Sequence, residues 1–158
     1  MSDVKGRTAF VASAFIAVVI LASVMTRPRP TANAREKRLL EGAEVDAAVL
    51  AILDRSCRDC HSDTTKYPWY SYVAPVSVLI NDDVKRGREH LNLSEWQVYS
   101  IVRRQRALSE IANQVKDRGM PLSMYLLLHP SAKLSDADIR TVFNWTQRER
   151  LRLIATQQ

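Results

Sequence analysis

Both cysteines of the chain fall in one pentapeptide, Cys57-Arg58-Asp59-Cys60-His61. Side chains three apart on a helical turn share a face. Two thiols placed in this way can reach the two vinyl groups along one edge of a porphyrin and form thioethers. The histidine that follows directly is delivered beneath the ring, where its imidazole can bind iron. The spacing C-x-x-C-H is thus the attachment signature of one covalent c-type haem. Cys57, Cys60 and His61 are the expected cofactor-binding residues, and His61 is the expected iron ligand. Two other chemistries use the same residue types. A redox-active Cys-x-x-Cys pair wants a βαβ context, which this chain lacks. A zinc ion would use Cys57, Cys60, His61 and a fourth ligand such as His90 or His129. Adjacent Cys60 and His61 rarely both reach one tetrahedral ion, and two cysteines cannot supply a second Cys-x-x-Cys or a disulfide scaffold.

Helices must position this motif. Glu44 to Ser56 carries Val45, Val49, Ile52 and Leu53 at helical spacing and leads straight into Cys57. Ser62 to Pro75 mixes turn residues with aromatics and reads as an ordered loop. Val76 to Arg88 places Val76, Leu79, Ile80 and Val84 on one stripe, against the haem pocket or in ordinary packing. Asn81, Asp82, Lys85 and Arg86 fall opposite. Ser94 and Gln97 form a capping-box pattern. It opens a predicted helix with Val98, Ile101, Val102, Leu108, Ile111, Ala112 and Val115, ending at Gly119 as a C′ residue. Ser135 and Asp138 repeat the capping pattern before a last helix that presents Ile139, Val142, Phe143, Thr146 and Leu153. No alternating pattern suggests strands, and glycine is scarce at 4 residues. The expected fold class is all-α.

The chain has 158 residues, a 46% hydrophobic and 25% charged composition and a formal charge of +6. These values exclude a polytopic membrane protein, a disordered chain and a collagen-like repeat. The charge alone points to no particular partner. One segment departs from the average. Thr8 to Met25 is an uncharged apolar run of 18 residues, preceded by Lys5 and Arg7 and stopped by Arg27, Pro28, Arg29 and Pro30. It suits a transmembrane helix at the short end of the range, or a secretory signal peptide. Ala32-Asn33-Ala34 resembles a cleavage box, but it stands behind two arginines and two prolines. The first reading is an uncleaved anchor. Residues 1–34 are accordingly expected to form the membrane segment and linker, and residues 35–158 the haem-binding domain. Covalent haem attachment occurs outside the cytoplasm, which places the domain on the periplasmic side of the inner membrane, or free in the periplasm if the segment is cleaved.

From about Val45 to Trp145 the chain resembles the bacterial haem-binding domain family of monohaem c-type cytochromes. The matching residues are Arg55 to Ser62, then Tyr67-Pro68-Trp69-Tyr70-Ser71 and Val73-Ala74-Pro75-Val76-Ser77. They continue with Gly87-Arg88-Glu89-His90-Leu91-Asn92, Ser94-Glu95-Trp96, Gly119-Met120-Pro121-Leu122 and Tyr125-Leu126-Leu127-Leu128-His129-Pro130. The attachment motif is common to all c-type cytochromes; the aromatic and Met-Pro segments narrow the resemblance to this family. The resemblance implies a small cytochrome c-like helical domain with one covalent haem.

A distal iron ligand is then needed. Met120, in Gly119-Met120-Pro121 just past a predicted helix end, is the first candidate, since cytochromes of this type often present a methionine from such a loop. Its thioether is a soft ligand, and Met/His ligation raises the reduction potential relative to bis-histidine. Met124, among Tyr125, Leu126 and Leu127, reads first as core. His129 would give bis-histidine ligation; its ordinary reading is a histidine capping backbone carbonyls. His90 follows Arg86 and Arg88 on a solvated surface. Tyr67-Pro68-Trp69-Tyr70 is expected to pack over the haem edge, or to donate a hydrogen bond to a propionate. Arg103-Arg104-Gln105-Arg106 is a solvated helix face, or a dock for an acidic redox partner. The expected function is single-electron transfer with a redox partner protein and no nucleic acid. The alternatives are a peroxidase-like enzyme, which needs a displaceable distal ligand and a proton shuttle, and a haem-based gas or redox sensor.

Overall fold

The computed structural model describes residues 2–29 and 38–156. It is helical throughout, with no strand among the described residues. The proposed cleavage box at Ala32-Asn33-Ala34 and the boundary at residue 34 lie outside the described residues.

The first helix, α1 (Ser2–Met25), contains a 20-residue stretch, Gly6–Met25, with mean hydropathy 2.4 and none of it buried. It has no polar face, so nothing in it favours packing on a soluble core. By length and composition it could cross a bilayer or serve as a signal sequence.

The motif sits at a break between two helices. α2 (Ala47–Ser56) ends where Cys57 leaves helical geometry, and the short α3 (Arg58–His61) follows at once. Cys57 N–H still donates to the Leu53 carbonyl at 2.9 Å, so the motif continues from α2 without slack. A 3₁₀ turn at Trp69–Tyr72 precedes α4 (Val76–His90), which packs across α3.

A second 3₁₀ turn spans Leu93–Val98, and α5 (Ile101–Lys116) follows it. The single helix expected from Ser94 to Gly119 is therefore divided. Ser100 caps α5 through the Arg103 N–H, while Ser94 works elsewhere, accepting the Asp63 N–H at 3.1 Å. Val98 and Val102 stand exposed as a result; Ala107, Leu108, Ile111, Ala112 and Val115 carry the buried face. The α5 C-terminus also differs from expectation. Arg118, with φ 55°, takes the left-handed C′ position. Gly119 follows as C″ and donates to the Gln114 carbonyl at 2.9 Å, which completes a Schellman closure.

After α6 (Ser123–Leu128) and a 3₁₀ turn at Pro130–Ala132, α7 (Asp136–Ala155) closes the domain. Its start is the expected capping box, with Ser135 and Asp138 bonded reciprocally. α7 packs along α5 and crosses α2. The core between them holds Val49, Leu53, Trp96, Leu108, Val142, Trp145 and Leu153. Trp145 and Glu149 were not on the stripe read from the sequence, yet both are buried. Trp145 Nε1 donates to the Glu44 carbonyl at 2.9 Å, and Glu149 pairs with Arg152 at 2.6 Å. A buried carboxylate requires such a partner.

Candidate haem site

His61 lies at the end of α3, partly buried. Its Nδ1 is 3.0 Å from the Leu91 carbonyl, just beyond α4. A carbonyl can only accept, so Nδ1 carries the hydrogen and Nε2 presents its lone pair. This is how metal-binding histidines are commonly oriented, by a fixed acceptor on the far nitrogen. Burial lowers the His61 pKa, against the opposing pull of the backbone bonds to Leu91 and Gly87. The neutral imidazole is thereby favoured, which is the form that can bind iron.

The two thiols are partly buried and unpaired as disulfide. Burial pushes Cys57 up to about 12, helped by Cys60, and Cys60 up to about 11, helped by Asp83 and Asp59. A redox-active cysteine is instead held as a thiolate by an electropositive setting. Nor do three His, Cys, Asp or Glu side chains converge on a possible ion site among the described residues. The zinc arrangement through His90 or His129 is not assembled. A histidine with Nε2 presented and two neutral thiols one turn apart fits a haem better than either rival.

The second layer holds residues to which the sequence reading gave no role at the site. At Gly87 of α4 an added Cβ would lie 2.6 Å from the Cys60 carbonyl oxygen. Only glycine lets α4 approach the motif this closely. Gly87→Ala should therefore lower stability by about 1–3 kcal/mol, the usual cost of overpacking, although alanine is favoured over glycine by about 1 kcal/mol in an open helix. A lower urea midpoint at unchanged slope checks this; a raised midpoint would refute the close-approach account. Arg88 clamps the loop after the motif, donating to the Ser62 carbonyl and the Thr65 hydroxyl, each at 2.8 Å. Asp63, Asn92 and Ser94 form a buried polar cluster that ties the same loop to the turn beyond α4. Gly87, Arg88, Leu91, Asn92 and Ser94 belong to the segments that carry the family resemblance, and they pack on or bond to Cys60, His61 and the loop that follows.

On the other side, the Tyr125 hydroxyl of α6 donates to Asp59 within the motif at 2.9 Å. Its ring stacks on His129 at 4.1 Å. His129 Nδ1 donates to the Tyr125 carbonyl at 3.1 Å, the capping role expected of it, and Nε2 accepts from the Tyr70 hydroxyl at 3.0 Å. Both ring nitrogens are engaged. Met120 is half-buried in the turn between α5 and α6, five residues before the Tyr125 tether. Met124 is 71% exposed and is not core, contrary to expectation. His90, the last residue of α4, is exposed. Trp69 is 78% exposed against the rest of the protein, while Tyr70 joins the network through His129. Of the α4 stripe only Val84 is buried. Two of the three arginines near the start of α5 are committed locally: Arg103 lies 3.9 Å over the Tyr99 ring, and Arg104 donates to the Trp96 and Gln97 carbonyls.

The family model for the haem-binding domain matches residues 15–148, most of the chain. The chain belongs to the haem-binding domain family. Its match runs from within α1 into α7 and includes every residue of the layer around His61. The haem-binding domain is also similar to a cytochrome c peroxidase, Ccp, of Escherichia coli (strain K12), at 24% identity over 106 residues. The alignment covers 65% of this chain but 23% of the peroxidase, so the chain spans about a quarter of that relative's length. No solved structure matches the chain.

Proposed function

We propose that this haem-binding domain is a membrane-anchored monohaem c-type cytochrome that passes single electrons to and from a redox partner protein on the periplasmic side of the inner membrane. The reading rests above all on His61, whose Nδ1 is tied to the Leu91 carbonyl directly after a Cys-x-x-Cys pair. Haem supplies the one-electron iron couple when bound. Cys57 and Cys60 would hold it as thioethers, each S–H adding across a vinyl double bond with no oxidant required. His61 would hold the iron through Nε2, and Met120 would supply the second ligand. His129 is disfavoured for that position because it would have to surrender the Tyr70 bond. With both protein ligands supplied by the chain, no iron position would be left for a substrate, which suits electron transfer.

Spectra of the purified full chain test this. A pyridine haemochrome of the two-thioether type and a low-spin oxidised spectrum with a methionine-to-iron band are expected. Met120→Ala should abolish that band and yield high-spin iron or a new ligand set; an unchanged spectrum would remove Met120 from the site. A high-spin wild type would overturn the carrier reading, and rapid carbon monoxide binding to the reduced protein would favour a sensor.

A peroxidase reading has one observation in its favour beyond the likeness to the E. coli protein. Two titratable pairs stand side by side next to the motif: Tyr125 bonded to Asp59 through its hydroxyl, and Tyr70 bonded to His129 Nε2, with the Tyr125 and His129 rings stacked between them. Steady peroxide turnover by the wild type, lost in His129→Ala with haem retained, would establish it.

A further inference from the structure

The end of α1 is joined to the start of α4. Val19, Ala22, Ser23 and Thr26 are the partly buried positions there, one helical stripe facing the domain. The Ala74 N–H donates to Ser23 Oγ at 3.0 Å, the Thr26 and Ser77 hydroxyls meet at 2.6 Å, and Asn81 Nδ2 donates to the Thr26 carbonyl at 2.6 Å. Arg27 lies 5.7 Å over the Tyr72 ring. Taken in order, 74 with 23, then 77 and 81 with 26, these pairs run in the same sense along both segments.

The polarity of the two helices changes at the same level. α1 is apolar as far as Met25 and then meets Thr26, Arg27 and Arg29. α4 begins with Val76, Val78, Leu79 and Ile80 around a single serine, and becomes charged only from Asp82. The apolar residues are not on one side of α4. Counted at about 100° per residue they spread over an arc of about 200°, and the remaining side, with Ser77 and Asn81, faces α1. Leu79 is 63% and Val78 48% exposed, with Trp69 and Val73 also exposed in the preceding turn. A helix that sorts its residues along its axis rather than around it is matched to a layered solvent. Water above and a lipid interface below form such a solvent.

We infer that residues 69–80 are an interfacial foot, seated in the headgroup and upper acyl region of the bilayer beside α1. The inference rests on the anchor reading above and specifies how the domain stands on the membrane. The bonds to α1 start at Ser23, inside the apolar stretch, two residues or about 3 Å below Met25. The interfacial layer adds only about 5–7 Å per side to the hydrocarbon. A domain gripping α1 this low must therefore enter the layer. An exposed tryptophan beside a tyrosine under an arginine is a composition suited to that depth. The foot would fix the height of the haem motif, because α3 rests on α4 at Gly87, seven residues or about 10 Å farther along.

The test is spin-label accessibility in full-length holoprotein reconstituted in phosphatidylcholine nanodiscs, with labels at Leu79→Cys, Lys85→Cys and Leu21→Cys. The unsubstituted holoprotein corrects for any labelling of the native thiols, and the haem spectrum verifies that each variant is folded. The expected result is an oxygen-to-nickel-chelate collision ratio several-fold higher at 79 than at 85, with 21 higher still. Equal, water-like ratios at 79 and 85 with a lipid-like 21 would overturn the foot while leaving the anchor. A water-like ratio at 21 would overturn the anchor reading itself, and the foot with it.

Discussion

Replacing both thiols, Cys57→Ser with Cys60→Ser, should release the haem completely when the protein is denatured. The wild type should keep its haem through a denaturing gel, giving haem-stained signal at the mass of the chain, and the double variant should give none. A haem held only by His61, a second ligand and apolar contact leaves once the fold is lost, whereas two thioethers survive unfolding. Either single variant should retain stain through the remaining bond. Persistent stain in the double variant would disprove covalent attachment at this motif. Because Nδ1 of His61 is held by the Leu91 carbonyl in a layer that does not involve the thiol groups, the folded double variant should still bind added haem reversibly, with an absorption band shifted to that of unsaturated vinyl groups.

The largest effect on stability is expected at Trp145→Ala, about 3–5 kcal/mol, the usual range for deleting a buried aromatic side chain. Trp145 is 1% exposed and sits where α7 meets α2 and α5. The deletion also strips the Glu44 carbonyl of its indole donor. Trp145→Phe separates the two contributions. It keeps most of the apolar contact but loses the bond, so a loss of about 1–2 kcal/mol is expected. Urea titration of the two variants checks this; equal losses would show that the hydrogen bond outweighs the packing.

Trp145 also marks how far periodicity could be read. The stripe Ile139, Val142, Phe143, Thr146 and Leu153 of α7 was visible, with Val142, Thr146 and Leu153 buried and Ile139 and Phe143 partly so, because a single helix against a single core shows one apolar face. The same helix buries Glu149, which no hydropathy pattern would place inside, since its burial depends on Arg152 one turn later and on the Glu44 N–H from a distant segment. Ser94 failed as a helix start for a similar reason. Its spacing to Gln97 was suitable, but the hydroxyl was taken by Asp63, 31 residues away. A long-range bond to a buried backbone N–H outcompeted a local cap. At the other end, Gly119 was placed one residue early because Arg118 tolerates the left-handed conformation that glycine was expected to supply.

The candidate site divides along the same line. Local chemistry was legible by itself: the two cysteines, the histidine, their spacing, the all-helical class and the apolar segment depend only on residues near one another in the chain. The approach of α4 to Cys60 through Gly87, the Leu91 carbonyl that orients His61, the engagement of His129 with Tyr70 and the matched polarity breaks of α1 and α4 were decided by the tertiary structure. Each joins residues at least 26 positions apart. No periodic pattern carries such pairings, because they arise only when helices with independent faces settle against one another.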